Sequence, residues 1–391
     1  MIRKVRYYIF LKDVFLLTIS AFGGPQAHFA MMLDLLVHKR GYLDEKDLIE
    51  LTALCQFLPG PTSTQTLTAI GFKVGGPNLA YLTLLIWITP AFLIMTFAGI
   101  FISTLEQYDI SMEFARFIKP MAVGIVAYSA YIIIKKVVTT KLAVVLMIVA
   151  AIASFLVRTP YVFPVILLIG GSITAFDYKR HEREEKEGIR IQWSNFILWA
   201  GVLIGAALIG ASIDWLGIRI FENFYRIGSL IFGGGQVLVP FMYTEFVEFK
   251  EYLTSEEFLS GFALVQAVPG PVFSFASYVG SISMKEYGML GQMMGGFMAA
   301  LGIFLPGTFL IFFVIRFWEE LKKFRIVKAS LDGVNAASSG MILAAVVLLS
   351  QPLMGDYLNY AVMLGTFVIM FTKKIPTPFL ILAGLILGVI L

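Results

Sequence analysis

Two stretches decide how the chain folds: Gln56-Phe57-Leu58-Pro59-Gly60-Pro61 and Gln266-Ala267-Val268-Pro269-Gly270-Pro271. Each follows a second break at the same interval, Phe22-Gly23-Gly24-Pro25-Gln26 in one place and Phe232-Gly233-Gly234-Gly235-Gln236 in the other. Both motifs recur at an offset of 210 positions, so about forty intervening residues align without a gap. Two prolines flanking a glycine cannot continue an α-helix, because proline lacks the amide donor and its ring clashes with the preceding turn. Glycine pairs let the backbone take conformations closed to other residues. Here the breakers lie inside apolar stretches, where freed amides and carbonyls are costly unless they find partners. Paired interruptions at corresponding positions of two halves point to a binding site of the kind transporters build near the bilayer midplane.

Around these breaks the composition excludes an ordinary soluble domain. Of 391 residues, 58% are hydrophobic and 14% charged, with a mean hydropathy of +0.83. A globular chain carries about 25% charged residues. Long apolar runs recur from Asn78 to Leu391, which makes this an all-α polytopic membrane protein. The net charge of +4 does not indicate nucleic acid as a partner, because the basic residues sit in short loops between apolar spans. A lone Cys55 excludes an internal disulfide and a cysteine metal site, and nothing calls for a cofactor. The basic and then apolar N-terminus runs into Gly23-Gly24-Pro25 without a small-residue cleavage site, and reads as a retained first element.

Taken in order, Met1–Lys12 is a basic amphipathic lead-in, and Val14–Val37 and Leu48–Phe72 are two interrupted elements joined by a charged connection. Full spans are predicted near Asn78–Thr104, Lys119–Ile134, Leu142–Val157 and Tyr161–Phe176. The charge-dense linker 177–190 and a connecting span, Phe196–Leu216, follow. The interrupted pair returns at Ile227–Phe246 and Phe258–Ile282, with spans near Leu290–Ile315, Ala329–Leu349, Leu358–Phe371 and Thr377–Leu391. The expectation is about nine full spans plus four interrupted elements, which are either re-entrant hairpins or broken spans. The predicted division is a first repeat over 1–177, a linker and connecting span over 178–217, and a second repeat over 218–391. Pro90 and Pro306, and Gly124 and Gly340, extend the correspondence at an offset of 216.

Orientation follows from the basic residues. With the N-terminus inside and each interrupted pair returning the chain to its starting face, 23 of the 30 Lys and Arg residues fall inside. Under that arrangement the Lys39–Lys46 connection is inside and its acidic counterpart Glu245–Glu257 outside. The halves are therefore predicted to be inverted, the odd crossing of Phe196–Leu216 flipping the second copy. The bilayer expected is the inner cell membrane.

Helical segments after Pro25, Pro61, Gly235 and Pro271 would each aim an N-terminus at the midplane, with roughly half a positive charge and several unpaired amides. Gln26, Gln56, Thr62, Ser63, Thr64 and Gln65 cluster there, with Gln236, Gln266, Ser274 and Ser277 in the second half. With the backbone of Gly23, Gly24, Gly60, Gly234, Gly235 and Gly270, they form a candidate site for a tetrahedral anion without a buried lysine, whose charge would cost several kcal/mol. The competing readings are plain: the breaks only kink helices or allow close packing, the hydroxyls only cap helices, and the glutamines only satisfy freed backbone groups. His28 could bind an anion or carry a proton, or be a packed, hydrogen-bonded histidine. Asp34 and Glu50 could be proton sites, but near the interface they read as solvated. Arg40 and Lys250, at equivalent positions, could funnel anions or anchor helix ends by snorkelling.

At these residues the chain resembles the chromate ion transporter family in its long, two-half form. The resemblance rests on Phe22-Gly23-Gly24-Pro25, Gly41-Tyr42-Leu43-Asp44-Glu45 and Cys55-Gln56-Phe57-Leu58-Pro59-Gly60-Pro61 in the first half. Phe232-Gly233-Gly234-Gly235-Gln236 and Gln266-Ala267-Val268-Pro269-Gly270-Pro271 carry it in the second. It implies export of chromate, with sulfate as a structural analogue, driven by membrane potential or proton gradient, and roles for Arg40 and the two first-half turns. It also leads one to expect an acid after the second glycine turn where this chain has Tyr243; Glu245 is kept and is a candidate for access or proton coupling. Transport of another anion such as a carboxylate, a passive channel and a membrane-embedded enzyme remain the alternatives, and a homodimer is compatible with the sequence.

Overall fold

The structure, a computed structural model, describes residues 2–108, 116–178, 191–232, 234–321, 323–372 and 375–390. Gly233, Lys373, Lys374, most of the 177–190 linker and part of the loop after Glu106 lie outside the described residues.

Every regular element among the described residues is helical. The first half runs α1 (Ile2–Ser20), α2 (Gly24–Met32), a π-helical segment (Leu33–Lys39), α3 (Glu45–Phe57), α4 (Thr62–Gly75), α5 (Pro77–Gln107), α6 (Ile118–Val137), α7 (Lys141–Leu156) and α8 (Val162–Ala175). After α9 (Ser194–Ser212) the order returns: α10 (Leu216–Leu230), α11 (Gly235–Tyr243), a second π-helical segment (Thr244–Phe249), α12 (Ser255–Ala267), a 3-10 turn (Val272–Ser274) and α13 (Phe275–Ser283). A 3-10 turn (Lys285–Tyr287), α14 (Gly288–Val314), the single turn α15 (Trp318–Leu321), α16 (Arg325–Ser350), α17 (Tyr357–Thr372) and α18 (Thr377–Ile390) complete the chain. The predicted breaks fall between α1 and α2, α3 and α4, α10 and α11, and α12 and α13. The basic lead-in is continuous with α1 rather than a separate element.

Among the described residues, five helical stretches are long and apolar enough to cross a membrane: Pro77–Gln107, Ile118–Val137, Ser194–Ser212, Lys285–Val314 and Arg325–Leu353. Five shorter apolar ones accompany them, α7, α8, α17 and the stretches Val272–Ser283 and Thr377–Gly388. Helix α9 turns Ile197, Ile204 and Leu208 outward, an apolar surface suited to lipid. The chain is a multi-pass membrane protein.

Local sequence explains where the helices after the connections begin. Asp44 caps α3 by accepting from the Asp47 amide, and the acids of the first turn suit the positive end of the helix dipole. At the equivalent place in the second half, Thr254 and Glu257 form a reciprocal capping box.

The chain divides into two compact units, each drawing on both halves of the sequence. The first comprises Met1–Ile110, Trp193–Ser229 and Leu264–Ile315. Within it α4 packs on α5 and α13 on α14, and the pairs exchange, α13 reaching α5 and α4 reaching α14. The approach is close where side chains are small: a Cβ on Gly280 would lie 2.3 Å from the Gly295 carbonyl oxygen. The second unit comprises Ser111–Gln192, Leu230–Ala263 and Arg316–Leu391. There α16 packs on α6, α7 and α8, α17 on α6, and α11 on α16. Gly340 sits where a Cβ would come 2.1 Å from the Met147 carbonyl oxygen, so the repeated glycine serves helix packing.

Candidate substrate site

Three of the four breaks lie in the first unit, and two of them meet. The amide of Gly270, in the Pro-Gly-Pro turn of the second half, donates to the Ala21 carbonyl at 2.8 Å. Ala21 closes the turn after α1, immediately before Phe22-Gly23-Gly24 in the first half. His28, buried on α2, places Nε2 3.2 Å from the same carbonyl oxygen and Nδ1 3.2 Å from the Ser63 hydroxyl. A carbonyl only accepts, so Nε2 carries a proton; in the neutral ring Nδ1 then accepts from Ser63. The histidine is thus packed with both ring nitrogens bonded, and it links both turns to the start of α4.

The two Pro-Gly-Pro turns are built alike. Gly60 has φ +118° and Gly270 φ +114°, values that L side chains rarely adopt. Each turn rests against the long helix of the other half beside its internal proline. A Cβ on Gly60 would lie 3.4 Å from the Gly307 Cα, next to Pro306; one on Gly270 would lie 3.0 Å from the Ala91 Cβ, next to Pro90. Gln65 ties the first turn by donating from Nε2 to the Pro59 carbonyl at 2.8 Å.

At the head of α4, Ser63, Thr64 and Gln65 are buried and Thr62 is half-buried. Trp87 of α5, fully buried, donates from Nε1 to the Thr64 hydroxyl at 3.0 Å and meets the His28 ring edge-on. At the corresponding head in the second half, Ser274 and Ser277 are fully buried, yet their hydroxyls have no hydrogen-bond partner among the described residues, and neither does Gln65 Oε1. An unpaired buried hydroxyl costs about 1–3 kcal/mol. Gln266 and Pro269 are half-buried. Gln26 and Gln56 are exposed, so they are not drawn into this buried network, and Gly23 is exposed beside half-buried Gly24 and Pro25. In the second unit, Gly234 and Gly235 are buried at the start of α11.

Neither Arg40 nor Lys250 stands as a lone cation. Arg40 Nη2 lies 2.7 Å from Asp13, whose side chain is 1% exposed, and Tyr42 donates to the other Asp13 oxygen at 2.7 Å. That bond and the attraction behind it hold the guanidinium more firmly protonated than usual. Burial and the same carboxylate push ionisation of Tyr42 well up. In the second unit, Lys250 pairs with buried Glu245 at 3.3 Å. Both cations follow a π-helical segment, a rare geometry that widens a helix and is frequent at functional sites. Asp34, exposed, pairs with Lys39.

Asp13, Trp87, the Ala21 carbonyl and the π-helical segments escaped the reading of the sequence. Asp13 had left a signal, the first acid of the chain, standing alone before Asp34 at the edge of the apolar run from Val14 to Ile19. The others depend on contacts distant in sequence.

Broken helices that exchange partners between two sequence halves, in a multi-pass apolar fold, define a membrane transporter. The chain belongs to the chromate transporter family, whose model matches residues 9–175 and 218–389. It is 26% identical over 371 residues to a "probable chromate transport protein" of Synechococcus elongatus, covering 94% of this chain and 91% of that one. It is 24% identical over 375 residues to the "chromate transport protein" of Cupriavidus metallidurans, covering 94% and 89%. An uncharacterized transporter of Methanocaldococcus jannaschii is 24% identical over 374 residues, covering 94% and 90%. No solved structure matches the chain.

Proposed function

We propose that this protein exports chromate or a similar tetrahedral divalent oxyanion across the cell membrane as a secondary transporter. The substrate follows from what the relatives are named for and from the donor chemistry around the three breaks of the first unit. The anion would be held by the amides heading α2, α4 and the 3-10 turn leading into α13, with the hydroxyls of Ser274 and Ser277 as further donors. The observation that carries this is the bond from the Gly270 amide to the Ala21 carbonyl, which joins a severed helix end of one half to one of the other. Buried hydroxyls left without partners are what a site awaiting an anion would contain. The two repeats, 1–177 and 218–391, are inverted in this reading, with the N-terminus inside, and exchange access around the site. Gln56 and Gln26 are then access residues rather than ligands. Flux of chromate and sulfate into liposomes holding the purified chain, under imposed voltage and pH gradients, tests it. Gradient-driven chromate accumulation that sulfate inhibits supports the reading; downhill leakage alone would make the protein a channel, and preference for a carboxylate would change the substrate.

A further inference from the structure

We propose that Asp13 binds the proton that accompanies the oxyanion, taking it up when the anion draws Arg40 away. This role presupposes the oxyanion transport proposed above and adds the residue that couples it to protons. Three features support it. Asp13 is buried while its partner is half-exposed, with side-chain exposures of 1% and 45%, so Arg40 is the member of the pair an anion reaches first. A dianion offers the guanidinium the same bidentate acceptor geometry as a carboxylate, with twice the charge. Once Arg40 turns to the anion, an ionised Asp13 would be left buried without its main counter-ion, which is far costlier than protonating it. Tyr42 stays bonded to Asp13 in either state. Arg6 also acts electrostatically on Tyr42.

The charges balance simply. Before binding, Arg40 and Asp13 form a neutral pair. Afterwards the guanidinium holds the dianion, the carboxyl holds one proton from water on that side, and the cluster carries one net negative charge. Arg40 stays with the dianion as it meets the helix ends of the proposed site, and release on the far side reverses both steps, so proton and anion travel together with one net negative charge, which an inside-negative potential drives outward.

The second half repeats the design with a different scaffold. Lys250 stands 210 positions after Arg40, and Tyr252 likewise after Tyr42, while Asn223 occupies the place of Asp13. The buried acid is instead Glu245 of the π-helical segment. A cation over a buried carboxylate is thus retained although the acid has moved to another helix.

The test uses the full chain in liposomes, with labelled sulfate flux and an interior pH dye read together at clamped voltage. In the wild type the expectation is about one proton per sulfate, moving in the same direction. Asp13→Asn should lose the proton signal and the pH dependence of whatever flux remains. Tyr42→Phe keeps the ion pair but removes a donor to the ionised acid, so the pH midpoint of flux should rise. Asp13→Glu should restore coupling, and it keeps the test open should Asp13→Asn not fold. A wild-type proton ratio in Asp13→Asn, or an unmoved midpoint in Tyr42→Phe, overturns the proposal. Sulfate flux without protons in the wild type overturns this role alone; no chromate or sulfate flux under any gradient overturns the transport reading as well.

Discussion

Replacing Gly270 with alanine tests whether the second Pro-Gly-Pro turn is a built joint or a passive kink. At φ +114° an alanine is strained by about 1–2 kcal/mol. Its Cβ would also lie 3.0 Å from the Ala91 Cβ. Carbon atoms prefer about 3.5–4.0 Å, so the turn must retreat from α5 by roughly half an ångström. Crowding of that kind costs about 1–3 kcal/mol. The two terms together give about 2–5 kcal/mol, and the retreat would stretch the 2.8 Å bond from the Gly270 amide to Ala21. At about 2–4 °C per kcal/mol for a unit of this size, purified protein should unfold on the order of 5–15 °C lower. The control is Gly201→Ala on α9, where a new Cβ meets no atom within 4 Å. There helix propensity alone acts and should add about 0.5–1 kcal/mol. Thermal unfolding followed by tryptophan fluorescence in detergent reads both variants. If Gly270→Ala unfolds at the temperature of Gly201→Ala, the turn is not wedged against α5 and the joint does not exist.

Pro59→Ala and Pro269→Ala should impair transport more than folding, since helix can then propagate through the break; equal loss of solubilised protein and of flux would count against this. Ser274→Ala and Ser277→Ala should leave thermal stability unchanged or raise it by about 1 kcal/mol, because each removes a buried hydroxyl without a partner. The same variants should lose chromate flux by roughly tenfold if those hydroxyls hold the anion, 1.4 kcal/mol being a factor of ten; stability loss with flux intact would make them structural. Trp87→Phe deletes the donor to Thr64 but keeps the ring, and should cost about 1 kcal/mol of stability, read by the same thermal assay.

What was legible in the sequence is what proline and glycine dictate locally. Pro59-Gly60-Pro61 must end one helix and start another wherever it stands, so all four breaks sit between helices as read. Apolar runs set the long helices to within a few residues: the predicted span Asn78–Thr104 is α5, Pro77–Gln107. Ion pairing was not legible. Arg40 and Lys250 read as cations serving the aqueous face, because nothing in their neighbourhood reveals that Asp13, 27 positions earlier, would be folded beneath one of them. The π-helical segments were equally hidden, since Leu33–Lys39 has no residue that forbids an ordinary helix. Gln56, read from its repeated motif as a ligand, is exposed at the end of α3, and Gln65, beyond the Pro-Gly-Pro turn, supplies the amide that holds Pro59.

The exchange of partners between halves has a consequence for the breaks themselves. A severed helix end in a membrane is tolerable only where something else satisfies or shields it. In the first unit part of that support comes from the other half: Gly307 of α14 backs the first Pro-Gly-Pro turn, which Gln65 also ties from its own half, Ala91 of α5 backs the second, and Ala21 accepts from Gly270. The internal prolines fit this arrangement, because Pro90 and Pro306 stand where each long helix must pass the partner's turn. The repetition in the sequence is therefore more than a record of duplication. In the first unit each copy supplies a wall against which the other's Pro-Gly-Pro turn rests, which is how these interruptions persist in an apolar chain.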